Sequence, residues 1–236
     1  MTAPVHPTYS PVLLAARDEA PGVRTFRFAS WPGFTFIPGQ FLMFHFADDP
    51  KTWRAYSLCS APAAAKEYFE VTVGMVGDFS ARLGALQPGR EGRLVVRGPF
   101  GKWTWNGEGH AVLVSGGTGL TPFRAMALLG KGKATLCCSA KTPDGLLYKN
   151  EYEGWRKNGA IVHERVTQPG SGMKDSIGEG RWTADAVLAA ANDAAAVYYL
   201  CGPKQLVSEM KSGLQGLGVT PKNIRTENWG DYTDLF

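Results

Sequence analysis

The chain has 236 residues, 44% of them hydrophobic and 19% charged, with a formal net charge of +4. That length admits two modest domains, each with its own core, and the composition is that of a soluble globular protein rather than a disordered or fibrous one. No apolar run has the length of a membrane helix, and the basic residues are dispersed, which excludes a nucleic-acid arm and leaves a modest basic face for an acidic protein partner.

The opening stretch MTAPVHPTYSPVLLAARDEAPG has no basic start followed by an apolar core, so it reads as neither a secretory signal nor a membrane anchor, and a cytoplasmic location is expected. From about Tyr9 to Trp105 the chain reads as β structure. The runs SPVLLAARD, VRTFRFAS, QFLMFHFAD, RAYSLCS, YFEVTVGMV and GRLVVRG are separated by APG, WPGF, IPG and QPGRE. Strands so punctuated by Pro and Gly predict an antiparallel β-barrel or sandwich, interrupted by one short helix at FSARLGAL.

After Asn106 the pattern changes. HAVLVSG, ATLCCSA, AIVHERV, AVYYLCG and NIRTEN read as strands, and the helical runs PFRAMALLGKG, LLYKNEYEGWRKNG, TADAVLAAANDA and PKQLVSEMKSGLQGLG lie between them. Strand and helix in alternation predict a five-stranded parallel sheet with helices on both faces, hence two domains, 1–105 and 106–236, meeting in WTWNGEGH.

Neither cysteines nor histidines point to a metal. Cys59, Cys137, Cys138 and Cys201 show neither ligand spacing nor a disulfide ladder, and nothing resembles the grouped cysteines of an iron-sulfur site. His6, His45, His110 and His163 are isolated from one another.

LVSGGTGLTP, Leu113 to Pro122, follows the first strand of the α/β half. Ligands of open parallel sheets gather beyond the carboxyl ends of the strands, where helix N-termini present free N–H groups. Gly116, Gly117 and Gly119 let an anion approach the backbone, Thr118 and Thr121 offer hydroxyls, and Pro122 suits a first helical turn. A glycine-rich turn can also merely reverse the chain; its placement favours a phosphate seat. The spacing is neither the usual dinucleotide fingerprint nor a Walker loop. A second strand-to-helix turn, YYLCGPKQLV, places Cys201, Gly202 and Pro203 where the same cleft is expected, since fourth and first strands are often neighbours in such sheets. The plainer reading is that Cys201 simply ends a buried strand.

In the β half, RAYSLCS sets Arg54 and Tyr56 on one side of a strand and Ser57 on the other. Arginine suits a phosphate, tyrosine a flat ring and serine a ring nitrogen. GDFSARL adds Gly77 and Ser80 at a helix start, a second anion seat, and GPFGKW closes the half with a tight turn.

In combination and in order, these stretches resemble the ferredoxin-NADP reductase superfamily over nearly the whole chain: Arg-x-Tyr-Ser, Gly-x-x-Ser, Gly-Pro-x-Gly, Gly-Gly-Thr-Gly-x-Thr-Pro, Cys-Gly-Pro, then an acid and an aromatic. The resemblance implies a barrel holding FAD and an α/β domain holding NADH or NADPH. It implies that Arg54 binds flavin phosphates, that Ala55 and Tyr56 lie along the isoalloxazine and that Ser57 contacts its N5 edge. Val71, Thr72 and Val73 would pass along the flavin, with Gly77, Phe79 and Ser80 at its diphosphate. Gly117, Thr118, Gly119, Thr121 and Pro122 would seat the nicotinamide cofactor's pyrophosphate. Cys201, followed by Gly202 and Pro203, would lie beside the hydride-bearing carbon, with Glu227 and Trp229 near the flavin. Ser57, Cys201, Glu227 and Trp229 are thus the implied catalytic set.

The implied function is hydride transfer from NAD(P)H to FAD and onward passage of electrons to a separate redox protein or a small molecule, such as ferredoxin, flavodoxin or an oxygenase component. Competing readings are a flavin reductase that releases reduced free flavin, a non-catalytic FAD-binding subunit and a nucleotide-binding interaction module. FMN is the other flavin option. Gln168 stands where many NADPH-using relatives have arginine, so the reading leans to NADH; Lys141, Arg165 and Lys174 are nearby cations in sequence. GDYTDLF, Gly230 to Phe236, continues past Trp229, and its removal is expected to leave hydride transfer intact.

Overall fold

A computed structural model describes residues 7–90, 92–129, 133–171 and 173–227; Trp229 and the tail that follows it lie outside the described residues. The chain divides into two compact units, Met1–Asn106 with Thr121–Leu129, and Gly107–Leu120 with Gly130–Phe236.

In the first unit, β1 (Thr8–Tyr9), β2 (Leu13–Ala20), β3 (Val23–Ala29), β4 (Phe41–Phe46), β5 (Asp49–Ser57), β6 (Tyr68–Gly74) and β7 (Leu94–Phe100) form two antiparallel sheets, in the orders β1-β7-β4-β5 and β2-β3-β6. A single antiparallel bridge, Leu58 to Val71, links them. β4 lies between β5 and β7, and all six of its residues are buried, which is why it reads as a nearly unbroken apolar run. Phe26, Phe28, Phe44 and Phe69 are fully enclosed in the core between the sheets. Helix α1 (Asp78–Gly84) follows β6 and buries Phe79 and Leu83 in that core.

The second sheet system is wholly parallel. β8 (His110–Gly116), β9 (Lys133–Ala140), β10 (Ile161–Val166), β11 (Ile177–Glu179), β12 (Val197–Cys201) and β13 (Ile224–Thr226) take the order β11-β10-β9-β8-β12-β13. The sheet therefore has six strands where the sequence predicts five. The added strand β11 is three residues long, too short to show any periodicity, and exists through its pairing with Glu164–Val166.

Helix α2 (Thr121–Ala127) follows β8, α3 (Tyr152–Lys157) precedes β10, and α4 (Ala184–Ala191) and α5 (Lys204–Gly216) flank β12. The helix read from Leu146 onward begins only at Tyr152. Tyr148, buried and ring-packed on Trp155, sits at φ 57°, a left-handed conformation that interrupts a right-handed helix. The Tyr152 hydroxyl donates to Leu147 O at 2.7 Å, so this segment is held as a packed turn.

Candidate functional site

The first unit carries an open groove of about 510 Å³ between the strand that holds Arg54 and Tyr56 and the turn leading into α1. Strand alternation places Arg54 and Tyr56 together on this face, as the sequence reading expects. Arg54 is exposed; its Nη1 donates to Trp53 O at 2.8 Å, and its guanidinium lies 6.0 Å from the Phe79 ring centre. Tyr56 stands edge-on to Phe44 and tilted against Phe79, and burial pushes its hydroxyl pKa up to about 12, so it stays protonated at any working pH. Nothing lies within 4 Å of where a Gly77 side chain would begin, which leaves that backbone open. An exposed cation, an open glycine turn and a flat ring on one groove suit a diphosphate joined to a planar ring system, so the residues fit a flavin dinucleotide.

Two of the sequence-derived roles change once the contacts are visible. Ser80 Oγ donates to Gly77 O at 2.8 Å and accepts from Gly77 N at 3.0 Å. Its only proton is thereby used in capping α1, so Ser80 shapes the turn instead of donating to a phosphate. Val71 and Val73 are buried in the core, and Thr72 Oγ1 is 2.6 Å from Thr25 Oγ1. β6 therefore has backbone, rather than these side chains, to offer a ligand. Ser57 and Ala55 are half-buried at the end of β5.

A feature that sequence reasoning missed lies beside these strands. Glu70, 1% exposed, receives Arg17 Nη1 at 2.7 Å and Arg27 Nε at 3.0 Å on one oxygen, and Arg124 Nη1 at 2.7 Å on the other. Burial works to raise its pKa; the hydrogen bond from Arg17 and the charge of Arg124 overcome that and hold it near 2. Arg124 Nη1 also donates to Cys59 O at 2.8 Å. The signal was present: Glu70 and Arg124 are lone opposite charges inside the apolar runs YFEVTVG and PFRAMALL.

In the second unit, β8 and β12 are parallel neighbours with Ser115 opposite Cys201, so both strand-to-helix turns emerge side by side. The fit between them permits only glycine. A Cβ on Gly119 would collide with the Cys201 carbonyl and come within 2.8 Å of Gly202 Cα, and one on Gly202, at φ 145°, would meet Gly116 N at 3.0 Å. Gly117, at φ 56°, is exposed with open space around it, and Thr118 is half-exposed beside it.

Cys201 is fully buried, and its Sγ lies 3.6 Å from Glu227 Oε2, bringing two of the implied catalytic residues together at the end of β12. Pro203 precedes α5 as its N-cap. Thr121 and Pro122 open α2, which packs with the first unit; Thr121 is 3% exposed, and its hydroxyl has no hydrogen-bond partner among the described residues. Trp229, the fourth implied catalytic residue, is outside the described residues.

At the end of β10, Gln168 is exposed, and its N–H donates to Lys141 O at 2.7 Å. Arg165 is drawn away: it donates to Glu179 O at 3.0 Å and lies 4.8 Å over the Trp182 ring. Lys174 lines a shallow cavity of about 410 Å³ together with Asp175 and Glu179. No group of three or more His, Cys, Asp or Glu able to hold a metal occurs among the described residues, and no helix of the described chain is long and apolar enough to cross a membrane.

Comparison with known proteins agrees with this geometry. The oxidoreductase FAD-binding domain family matches residues 13–105 and the oxidoreductase NAD-binding domain family matches residues 113–212. A flavohemoprotein of Oceanobacillus iheyensis is 26% identical over 226 residues, covering 84% of this chain and 52% of that protein. The chain thus spans about half the length of this relative. Among solved structures, the cytochrome b5 reductase domain of Ulva prolifera nitrate reductase superposes with a TM-score of 0.77 at 20% identity, covering 94% of this chain and 97% of that one. A ferredoxin-NADP reductase of Neisseria gonorrhoeae, solved with FAD and NADP, gives 0.76 at 18%, covering 94% and 98%. Residues 13–105 thus carry an oxidoreductase FAD-binding domain and residues 113–212 an oxidoreductase NAD-binding domain, and the fold is that of the ferredoxin-NADP reductase and cytochrome b5 reductase structures.

Proposed function

We propose that this chain takes reducing equivalents from NADH and delivers them to a separate acceptor, a redox protein or a small oxidant. The observation that carries the reading is the pairing of Cys201 with Glu227 at the glycine-packed end of β12. When bound, FAD supplies the ability to accept a hydride and to release electrons one at a time. The protein's part is to bind, orient and shield.

In this reading Arg54 neutralises the flavin's diphosphate at the open Gly77 turn, Tyr56 gives the ring system a flat apolar wall, and Ser57 hydrogen-bonds its edge. Gly117 and Thr118 present backbone and hydroxyl to the nucleotide's pyrophosphate, where any larger side chain would stand in the way. Cys201 contributes a small, polarisable surface beside the nicotinamide, and its thiol donates to Glu227 Oε2 at 3.6 Å, which orients it. Holding the reacting atoms about 3 to 3.5 Å apart would replace a bimolecular encounter by a positioned transfer.

The lean to NADH rests on charge at the end of β10. Arg165 is committed to Glu179 and Trp182, and Lys174 shares its cavity with two carboxylates, so neither of these two cations stands free for a 2'-phosphate. The names of similar proteins, a flavohemoprotein and a ferredoxin-NADP reductase, support a protein acceptor here.

The test is anaerobic mixing of the purified protein with NADH and with NADPH, followed at the visible flavin band. Bleaching by NADH in preference to NADPH is expected. A yellow protein bleached by neither nucleotide would replace this reading with a flavin-binding subunit, and turnover that depends on added riboflavin or FMN would make it a flavin reductase.

A further inference from the structure

Helix α2 follows the glycine turn in sequence but packs as part of the first unit. What holds it there is specific. Arg124 reaches two groups at once, Cys59 O at 2.8 Å and Glu70 Oε2 at 2.7 Å. Those two residues are themselves cross-strand partners, Cys59 N donating to Glu70 O at 2.9 Å, and they flank the Leu58–Val71 bridge that links the two antiparallel sheets. The guanidinium therefore grips the seam of the barrel, two residues from Ser57 on one strand and next to Val71 on the other.

The same helix begins with Thr121, three residues and so nearly one turn before Arg124; the Thr121 hydroxyl is buried without a partner among the described residues. A buried hydroxyl left unsatisfied is costly unless a ligand completes it. We propose that Arg124 is a positioning residue: by clamping α2 to the Cys59–Glu70 seam of the same unit, it fixes the buried Thr121 hydroxyl for a polar group of a bound nucleotide. Both contacts are made by the one nitrogen Nη1, so a single charged group at the end of a long stem ties the carbonyl and the carboxylate together. The inference rests on the reductase reading above for its functional consequence, though not for the clamp itself.

Arg124→Met separates the two. Glu70 keeps Arg17 and Arg27, so the variant loosens the helix without leaving a buried carboxylate unpaired. The expected result has two parts. Hydrogen exchange across 121–129 accelerates while protection in β6 is unchanged. The rate of flavin reduction at saturating NADH falls ~10-fold to ~100-fold, the loss expected from a misalignment of about an ångström, with FAD content retained and the nucleotide Kd changed less than ~3-fold. Unaltered exchange in 121–129 would show that Arg124 is no clamp. Accelerated exchange with reduction within twofold of wild type would show a clamp without a positioning role. Should Arg124→Met fail to fold, Arg124→Lys, which keeps a charge near Glu70 on a shorter stem, is read in the same way with a smaller expected fall. Failure of the wild type to be reduced by either nucleotide would overturn the proposed function and, with it, the alignment role; the exchange result would still decide the clamp.

Discussion

The groove of the first unit presents its charge on side chains, with Arg54 exposed at its mouth and Tyr56 forming a wall. The turn at the end of β8 presents none: its surface is backbone, and Gly119 and Gly202 are pressed so closely against their neighbours that a single methyl has no room. One site is adjustable and tolerant of small changes, because a guanidinium on a long stem can follow its ligand. The other is rigid and binary. The difference predicts that equal-looking substitutions will act on different quantities, affinity in the groove and folding at the turn.

Gly119→Ala should have the largest effect. The new methyl meets main-chain atoms of Cys201 and Gly202 that cannot rotate away, so a loss of about 3 kcal/mol in stability is expected, at the upper end of overpacking. Thermal unfolding should drop accordingly and nucleotide binding by calorimetry should vanish; a variant that binds NADH normally would show that the turn is not rigid.

Next in size is an acid effect confined to the side-chain-built unit. The folded pKa of Glu70 lies near 2, below the 4.5 of a free glutamate, so its contribution is fully present above about pH 4.5 and is lost as pH falls toward 2. That interval corresponds to about 3 kcal/mol. Denaturant titrations between pH 2 and 5 should show a steep loss that Glu70→Gln flattens, whatever the variant's overall stability.

Arg54→Ala should leave folding intact and weaken FAD binding ~10-fold to ~100-fold, the range for a charge-assisted contact to phosphate, as read by flavin fluorescence on dilution. Ser80→Ala should do the reverse on a smaller scale, lowering stability by about 1 kcal/mol through the lost cap while FAD affinity stays within ~3-fold. A large fall in FAD affinity for Ser80→Ala would return that hydroxyl to the diphosphate.

How much of this was legible follows from the same contrast. A glycine's reason for being in a strand-to-helix turn is local, and GGTGLTP and CGP therefore announce both their place and their adjacency. Side-chain roles are set by partners far along the chain. Ser80 reads as a donor until Gly77 is seen to take its proton, and that Val71 and Val73 give their side chains to the core is seen only in the structure. Arg124 and Glu70 lie 54 positions apart, so the apolar runs around them mark two buried charges without naming them as partners. β11 escaped for want of length, and the start of α3 was misplaced because Tyr148 takes a backbone conformation that its residue type disfavours.

The return of Thr121–Leu129 to the first unit has a consequence for cutting the gene. A fragment ending at Asn106 would carry the whole set of antiparallel strands yet lack the helix that fills the place of Ala125 in its core and supplies the third arginine to Glu70. Shuffling flavin and nucleotide halves between homologues at that junction would pair each barrel with a foreign plug. Crossover points that keep 1–129 from one parent are expected to give soluble chimaeras more often than those at 106, and the matched charges at 70 and 124 would have to be inherited together.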